Sequence, residues 1–99
     1  GATLYEWMQY DANGQPLTAS YADYLLPAYD TIPRIEIHHM ESPSPTNPLG
    51  VKGAAESGTI GAPAAIVSAI DDALKSFNVR ITDLPVTPPG LLALIHGNG

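Results

Sequence analysis

The sequence predicts an α+β fold: a small mixed β-sheet, built from an N-terminal hairpin plus two further strands, covered by one main helix and a short C-terminal helix. Three observations lead there. An Asn13-Gly14 pair separates two runs that read as strands, "TLYEWMQY" and "QPLTAS". "IPRIEIHHME" alternates Ile35, Ile37 and His39 against Arg34, Glu36 and His38, the period of a half-buried strand. Further on, Ile66, Val67, Ile70, Leu74 and Phe77 recur at the spacing of one helix face.

Each element has a local justification. Residues 3–10 are rich in aromatics and form the outgoing strand of the hairpin, with Asn13 and Gly14 supplying the positive-φ turn. Pro16 stands near the start of the returning strand, where a missing N–H is tolerated. "YADYLLP" reads as one helical turn or a bend closed by Pro27, with Tyr21, Tyr24 and Leu25 over a core edge. The alternating run around Ile35 is the third strand. "SPSPTNP" is too rich in proline for helix or central strand, so it is an extended connector, ordered only if something holds it. The main helix is expected over residues 63–77, with Pro63 in its first position, Asp71 and Lys75 paired across one turn, and Asn78 as a left-handed cap. "VRITDLP" is the last short strand. Thr87 caps a closing helix that starts at Pro88 and is weakened by Gly90.

Composition narrows the partners. Ninety-nine residues with no internal repeat make one small domain at most. Ten acidic residues against four basic ones, net −6, argue against nucleic acid and against an anionic membrane surface. No segment approaches the roughly 20 apolar residues of a membrane span. With no cysteine, the chain offers no disulfide, thiolate zinc site or iron–sulfur ligation. It opens on "GATLYEW" without Met or a signal sequence, which suggests a piece of a longer polypeptide.

Most familiar chemistries find no motif. There is no G-x-x-x-x-G-K-[ST] phosphate loop and no G-x-S-x-G nucleophile elbow. Neighbours on a strand face opposite ways, so His38 and His39 are better read as one inward and one outward side chain than as joint metal ligands. The tyrosines and Trp7 read as cross-strand core pairs rather than a binding stripe. No metal ligands are assigned.

The stretch "VKGAAESGTIGAP" is different. It sets one carboxylate, Glu56, among Gly53, Gly58, Gly61, Ala54 and Ala55. Two readings stand. Glu56 is a solvated loop carboxylate, paired to Lys52, or it is a group aimed at something bulky that approaches the backbone. Glycines permit such an approach, and the alanines keep the walls small. A carboxylate held in a dry, close site can act as a general base, and the helix N-terminus that follows favours anionic or polar cofactor groups.

The sequence resembles the C-terminal end of the large, molybdenum-binding subunit of the xanthine oxidase family, in the branch of aerobic carbon monoxide dehydrogenase and aldehyde oxidoreductase. "YDANGQPLTASYADYLLPAYDTIPRIEI" is similar to that family's hairpin and following strand, and "ESPSPTNPLGVKGAAESGTIGAPAAIVSAIDDAL" to its proline-rich connector, catalytic loop and helix. The likeness runs from about Leu4 to Pro88.

The resemblance implies that residues 1–99 are one fragment of the cofactor-binding domain. It implies that Glu56 is the active-site base, in the place of the Glu in a K-G-V-G-E loop, for hydroxylation or oxidation with oxygen derived from water. Gly53, Ala54, Ala55, Ser57 and Gly58 would lie along the molybdopterin cytosine dinucleotide. Ala54-Ala55 departs from the commoner Val-Gly, and the Ala55 methyl narrows the approach. FAD and the 2Fe-2S clusters would sit on partner subunits of a cytoplasmic enzyme. The isolated fragment is expected to hold no cofactor, to be inactive, and to self-associate through surface that the rest of the large subunit would cover. The alternative is a catalytically inactive stand-alone module that oligomerises or binds through that surface.

Overall fold

The computed structural model describes residues 1–97. Two helices, α1 (Ser57–Ala73) and α2 (Pro88–Ile95), are joined by irregular chain, with short 3-10 turns at Tyr29–Thr31 and Lys75–Phe77. The expected mixed sheet is absent. Among the described residues the β pairing is a single isolated antiparallel bridge, Tyr10 to Pro16.

The hairpin survives only as a turn. Leu17 N–H donates to Gln9 O at 2.8 Å and Asp11 N–H to Gln15 O at 2.9 Å. Asp11 Oδ1 accepts from the amides of Asn13 and Gln15, so an aspartate side chain organises the loop. Gly14 has φ +81, whereas Asn13 is not in the left-handed region. Upstream, the amides of Leu4, Tyr5 and Glu6 all turn back onto Gly1 O, which ends the expected strand before it starts. Tyr24 O–H donates to Glu6 Oε1 at 3.3 Å. Burial, then the Glu6 charge and this bond, push the Tyr24 phenol above its ordinary value.

The two later strands are missing for a common reason. Alternation marks which side chains suit a half-buried surface, but a strand exists only where another backbone completes its ladder. Residues 32–41 have no regular structure, and Ile35 and Ile37 are 70% and 74% exposed. His38 and His39 are both exposed, not divided between two faces. At Ile81 the amide donates to Asp71 Oδ1 at 2.9 Å, so an α1 carboxylate takes the place of a ladder partner. That bond also corrects the expected Asp71–Lys75 pair, since Lys75 is bonded to Asp72.

Helix α1 begins six residues earlier than expected, and Pro63 lies inside it rather than in its first position. Pro63 cannot donate to the Thr59 carbonyl, which costs the helix one internal bond. Asn78 at φ 54, ψ 36 closes the segment in the left-handed region, as expected. Thr87 caps α2, its hydroxyl accepting from Gly90 N at 3.2 Å.

What core there is lies where the two ends of the chain meet. Val86 N–H donates to Thr3 O at 2.7 Å, and Thr3, Ile81 and Val86 are buried. The Pro63, Ala64 and Val67 face of α1 looks across a cleft of about 330 Å3 to Ile81–Leu84. The radius of gyration is 17.8 Å, against about 13 Å for a compact chain of this length. The accessible surface is 8399 Å2, against about 5,400 Å2 for a folded monomer of this mass. Some 3,000 Å2 of extra surface is too much for a self-sufficient domain.

Candidate functional site

The approach to Glu56 starts in the proline-rich connector. Far from being an extended strap, it closes on itself. Ser44 N–H donates to Gly50 O at 2.9 Å and Gly50 N–H to Asn47 O at 3.1 Å. Gly50 has φ +66, and a Cβ there would lie 2.8 Å from the Pro43 Cβ, so only glycine fits. The Asn47 carboxamide then brackets Val51: Nδ2 donates to Val51 O at 2.9 Å, and Oδ1 accepts from Val51 N at 3.1 Å. Lys52 Nζ reaches back to Ser42 Oγ at 3.1 Å, which ties the neck of the loop and leaves Glu56 without the expected lysine partner.

Beyond Val51 the chain is open. Every residue from Lys52 to Ile60 is exposed. Among the described residues the amides of Gly53, Ala54, Ala55 and Glu56 have no hydrogen-bond acceptor. Glycines 53, 58 and 61 have ordinary backbone angles, so what they contribute is room: a Cβ on any of them would meet nothing within 4 Å.

Order returns at the first turn of α1. Ser57 Oγ donates to Ala54 O at 2.7 Å and Thr59 Oγ1 to Glu56 O at 2.8 Å. Glu56 itself occupies the N-cap position, φ −100 and ψ −3, and makes no side-chain cap bond. Aspartate is the acidic residue that commonly folds back onto free amides at this position. The Glu56 carboxylate does not, and it remains available to an incoming group.

The candidate residues Gly53, Ala54, Ala55, Glu56, Ser57 and Gly58 therefore share one short exposed ridge. The chain does not enclose them. The nearest cleft, about 350 Å3 between Met40–Pro43, Gly50 and Lys52, stops at Lys52. No cluster of three His, Cys, Asp or Glu side chains occurs among the described residues. Unpaired amides beside Cβ-free positions leave both donors and room for a bulky polar group. The sequence pattern singled out Glu56 and its glycines as candidates and passed over Asn47 and Gly50. The signal was present in "TNPLG", since Asn and Gly flanking a proline are turn residues.

No family model matches the chain. The nicotine 6-hydroxylase large subunit of Paenarthrobacter nicotinovorans is 42% identical over 97 residues, 98% of this chain and 12% of that protein. Subunit gamma of the 6-hydroxypseudooxynicotine dehydrogenase complex, from the same organism, is 45% identical over 98 residues, again 98% of this chain and 12% of the relative. The crystal structure of quinoline 2-oxidoreductase from Pseudomonas putida 86 superposes with a TM-score of 0.87 at 45% identity, covering 95% of this chain and 12% of that one.

The open trace is thus a recurring piece of the large subunits of oxidoreductases, reproduced inside a much longer chain. The chain matches a small segment of the large subunits of molybdenum hydroxylases. It spans about an eighth of the length of these relatives, 12% in each.

Proposed function

We propose that this segment supplies Glu56 as the general base of a molybdenum hydroxylase or dehydrogenase large subunit. The observation that carries the reading is the free carboxylate: Glu56 stands exposed at the N-cap of α1 and makes no side-chain cap bond. In the complete enzyme its carboxylate accepts the proton released as a water-derived oxygen bonds to the substrate. The Gly53–Ala55 backbone, Ser57 and Gly58 form the wall against the cofactor, their small side chains allowing close approach and the amides of residues 53–55 offering donors. The Ser57 hydroxyl donates to Ala54 O, which leaves its oxygen as an acceptor. The cofactor, which we read as molybdopterin cytosine dinucleotide, supplies the metal centre that accepts the two electrons, with FAD and 2Fe-2S groups on partner subunits of a cytoplasmic enzyme.

The rest of the large subunit is the first partner. It covers the surplus apolar surface, including Trp7, Ile35, Ile37 and Ile60, which are 47%, 70%, 74% and 76% exposed in this chain. Isolated, the chain covers the same surface by self-association. That surplus also favours a second reading, an inactive module that binds or oligomerises through this face.

The two readings separate on Glu56→Gln, made in the complete enzyme. Gln preserves size and one oxygen but cannot take up a proton at neutral pH. Turnover should fall about 10² to 10⁴-fold, with cofactor content unchanged and substrate binding weakened far less, as for a group that acts in the transition state. A fully loaded variant with near-normal turnover would end the reading.

A further inference from the structure

We infer that Asn47 is a positioning residue for Glu56, acting through the backbone of Val51. The inference rests on the reading of Glu56 as a base. Between the proline-rich loop and α1, Val51 is the last residue whose amide and carbonyl are both bonded, and both bonds go to the Asn47 side chain. The next fixed point is Ala54 O, which takes Ser57 N and Oγ at 3.3 and 2.7 Å. The ridge that presents Glu56 is therefore slung between two anchors. One is the first turn of α1, and the other is a single carboxamide.

That carboxamide has one workable orientation. Flipping it would point Oδ1 at a carbonyl and Nδ2 at an amide, two repulsive contacts in place of two bonds. Its own backbone is held by Gly50 N on Asn47 O at 3.1 Å, and Gly50 is held in turn by Ser44. The half-buried Ser44, Asn47 and Gly50 thus form a rigid base from which Val51 departs in a set direction. Lys52 on Ser42 ties the neck but grips only side chains. Only Asn47 grips the path of the chain towards Glu56. Aspartate, though isosteric, would set an acceptor against the Val51 carbonyl.

The test uses the complete enzyme with Asn47→Ala, Asn47→Asp and Glu56→Gln. Hydrogen–deuterium exchange over residues 51–56 is read beside turnover per cofactor-loaded site. Both Asn47 variants should speed exchange in that segment. They should lower kcat per loaded site roughly 10 to 100-fold, the scale of an ångström-level misplacement of a catalytic group, with KM little changed. A merely destabilised enzyme would lose loaded sites and keep kcat per site. Unchanged exchange would overturn the inference, and so would faster exchange with unchanged kcat per site. Should Asn47→Ala fail to fold, Asn47→Asp decides alone. Normal turnover in Glu56→Gln would remove the base reading, while exchange would still show whether Asn47 holds the ridge.

Discussion

Residues 32–41 and 43–51 are neighbours in sequence and opposites in construction. The first has the alternation of a good strand and ends up with no regular structure and with Ile35 and Ile37 in solvent. The second has the proline content of a loose connector and ends up bonded to itself through Ser44, Asn47, Gly50 and Val51. The difference lies in where the bonding partners are. A turn of nine residues carries its own donors and acceptors, so its order is a local property. A strand needs a second backbone, and among the described residues none is offered.

The comparison breaks most directly at Gly50. Gly50→Ala would put a left-handed backbone on an L residue, costing about 1–2 kcal/mol. It would also press a methyl group onto the Pro43 ring, with an overpacking cost of about 1–3 kcal/mol more. Ser44 N and Gly50 O would have to part. In the complete large subunit, exchange over residues 43–51 should rise sharply, and the neighbouring 32–41 segment should be indifferent. Wild-type protection in the loop would mean that its order is imposed from outside.

The same division explains what could be read from the sequence. The left-handed Asn78 and the Thr87 cap are decided within one or two turns of chain, and both were legible, whereas the expected helix face was only partly so, because α1 ends at Ala73 and Phe77 lies beyond it, 54% exposed. The start of α1 at Ser57 was not. Gly58, Gly61 and Pro63 all argue against helix, yet the first turn forms, with hydroxyl bonds from Ser57 and Thr59 to the carbonyls of Ala54 and Glu56. The sheet was misread because each candidate strand was judged by its own pattern. At the site, the glycines and the lone carboxylate were visible, but the support from Asn47 depends on how the proline-rich loop folds back, which no periodicity reveals.

Thr87→Ala tests a smaller, equally local device. Its hydroxyl accepts from Gly90 N, while its carbonyl takes Leu91 N at 2.8 Å and would be untouched. Losing an N-cap side chain costs about 1 kcal/mol. Exchange in the first turn of α2 should rise modestly, and residues 43–51 should not respond. A loss several times larger would show that α2 is held chiefly by the Val86 and Thr3 contact behind it.

The smallest effect is expected from Ile35→Ser in the isolated chain, and its value is in the contrast with the same change in the complete subunit. Alone, Ile35 is 70% exposed, so the substitution should alter stability by less than about 0.5 kcal/mol and leave circular dichroism unchanged. If the rest of the large subunit supplies the missing ladder, Ile35 is half or fully buried there. Removing its side chain then costs about 2–4 kcal/mol, as for other large apolar truncations. The thermal midpoint should fall and the amides around residue 35 should lose protection. Glu36→Ser is the control, because period-2 alternation puts it on the opposite face, where truncation should be mild in both settings. Ile35→Ser without effect in the complete subunit would mean that the alternation of residues 34–39 is not a strand signal at all. A large effect there, set against silence in the isolated chain, would mean that Ile35 is buried by another part of the large subunit.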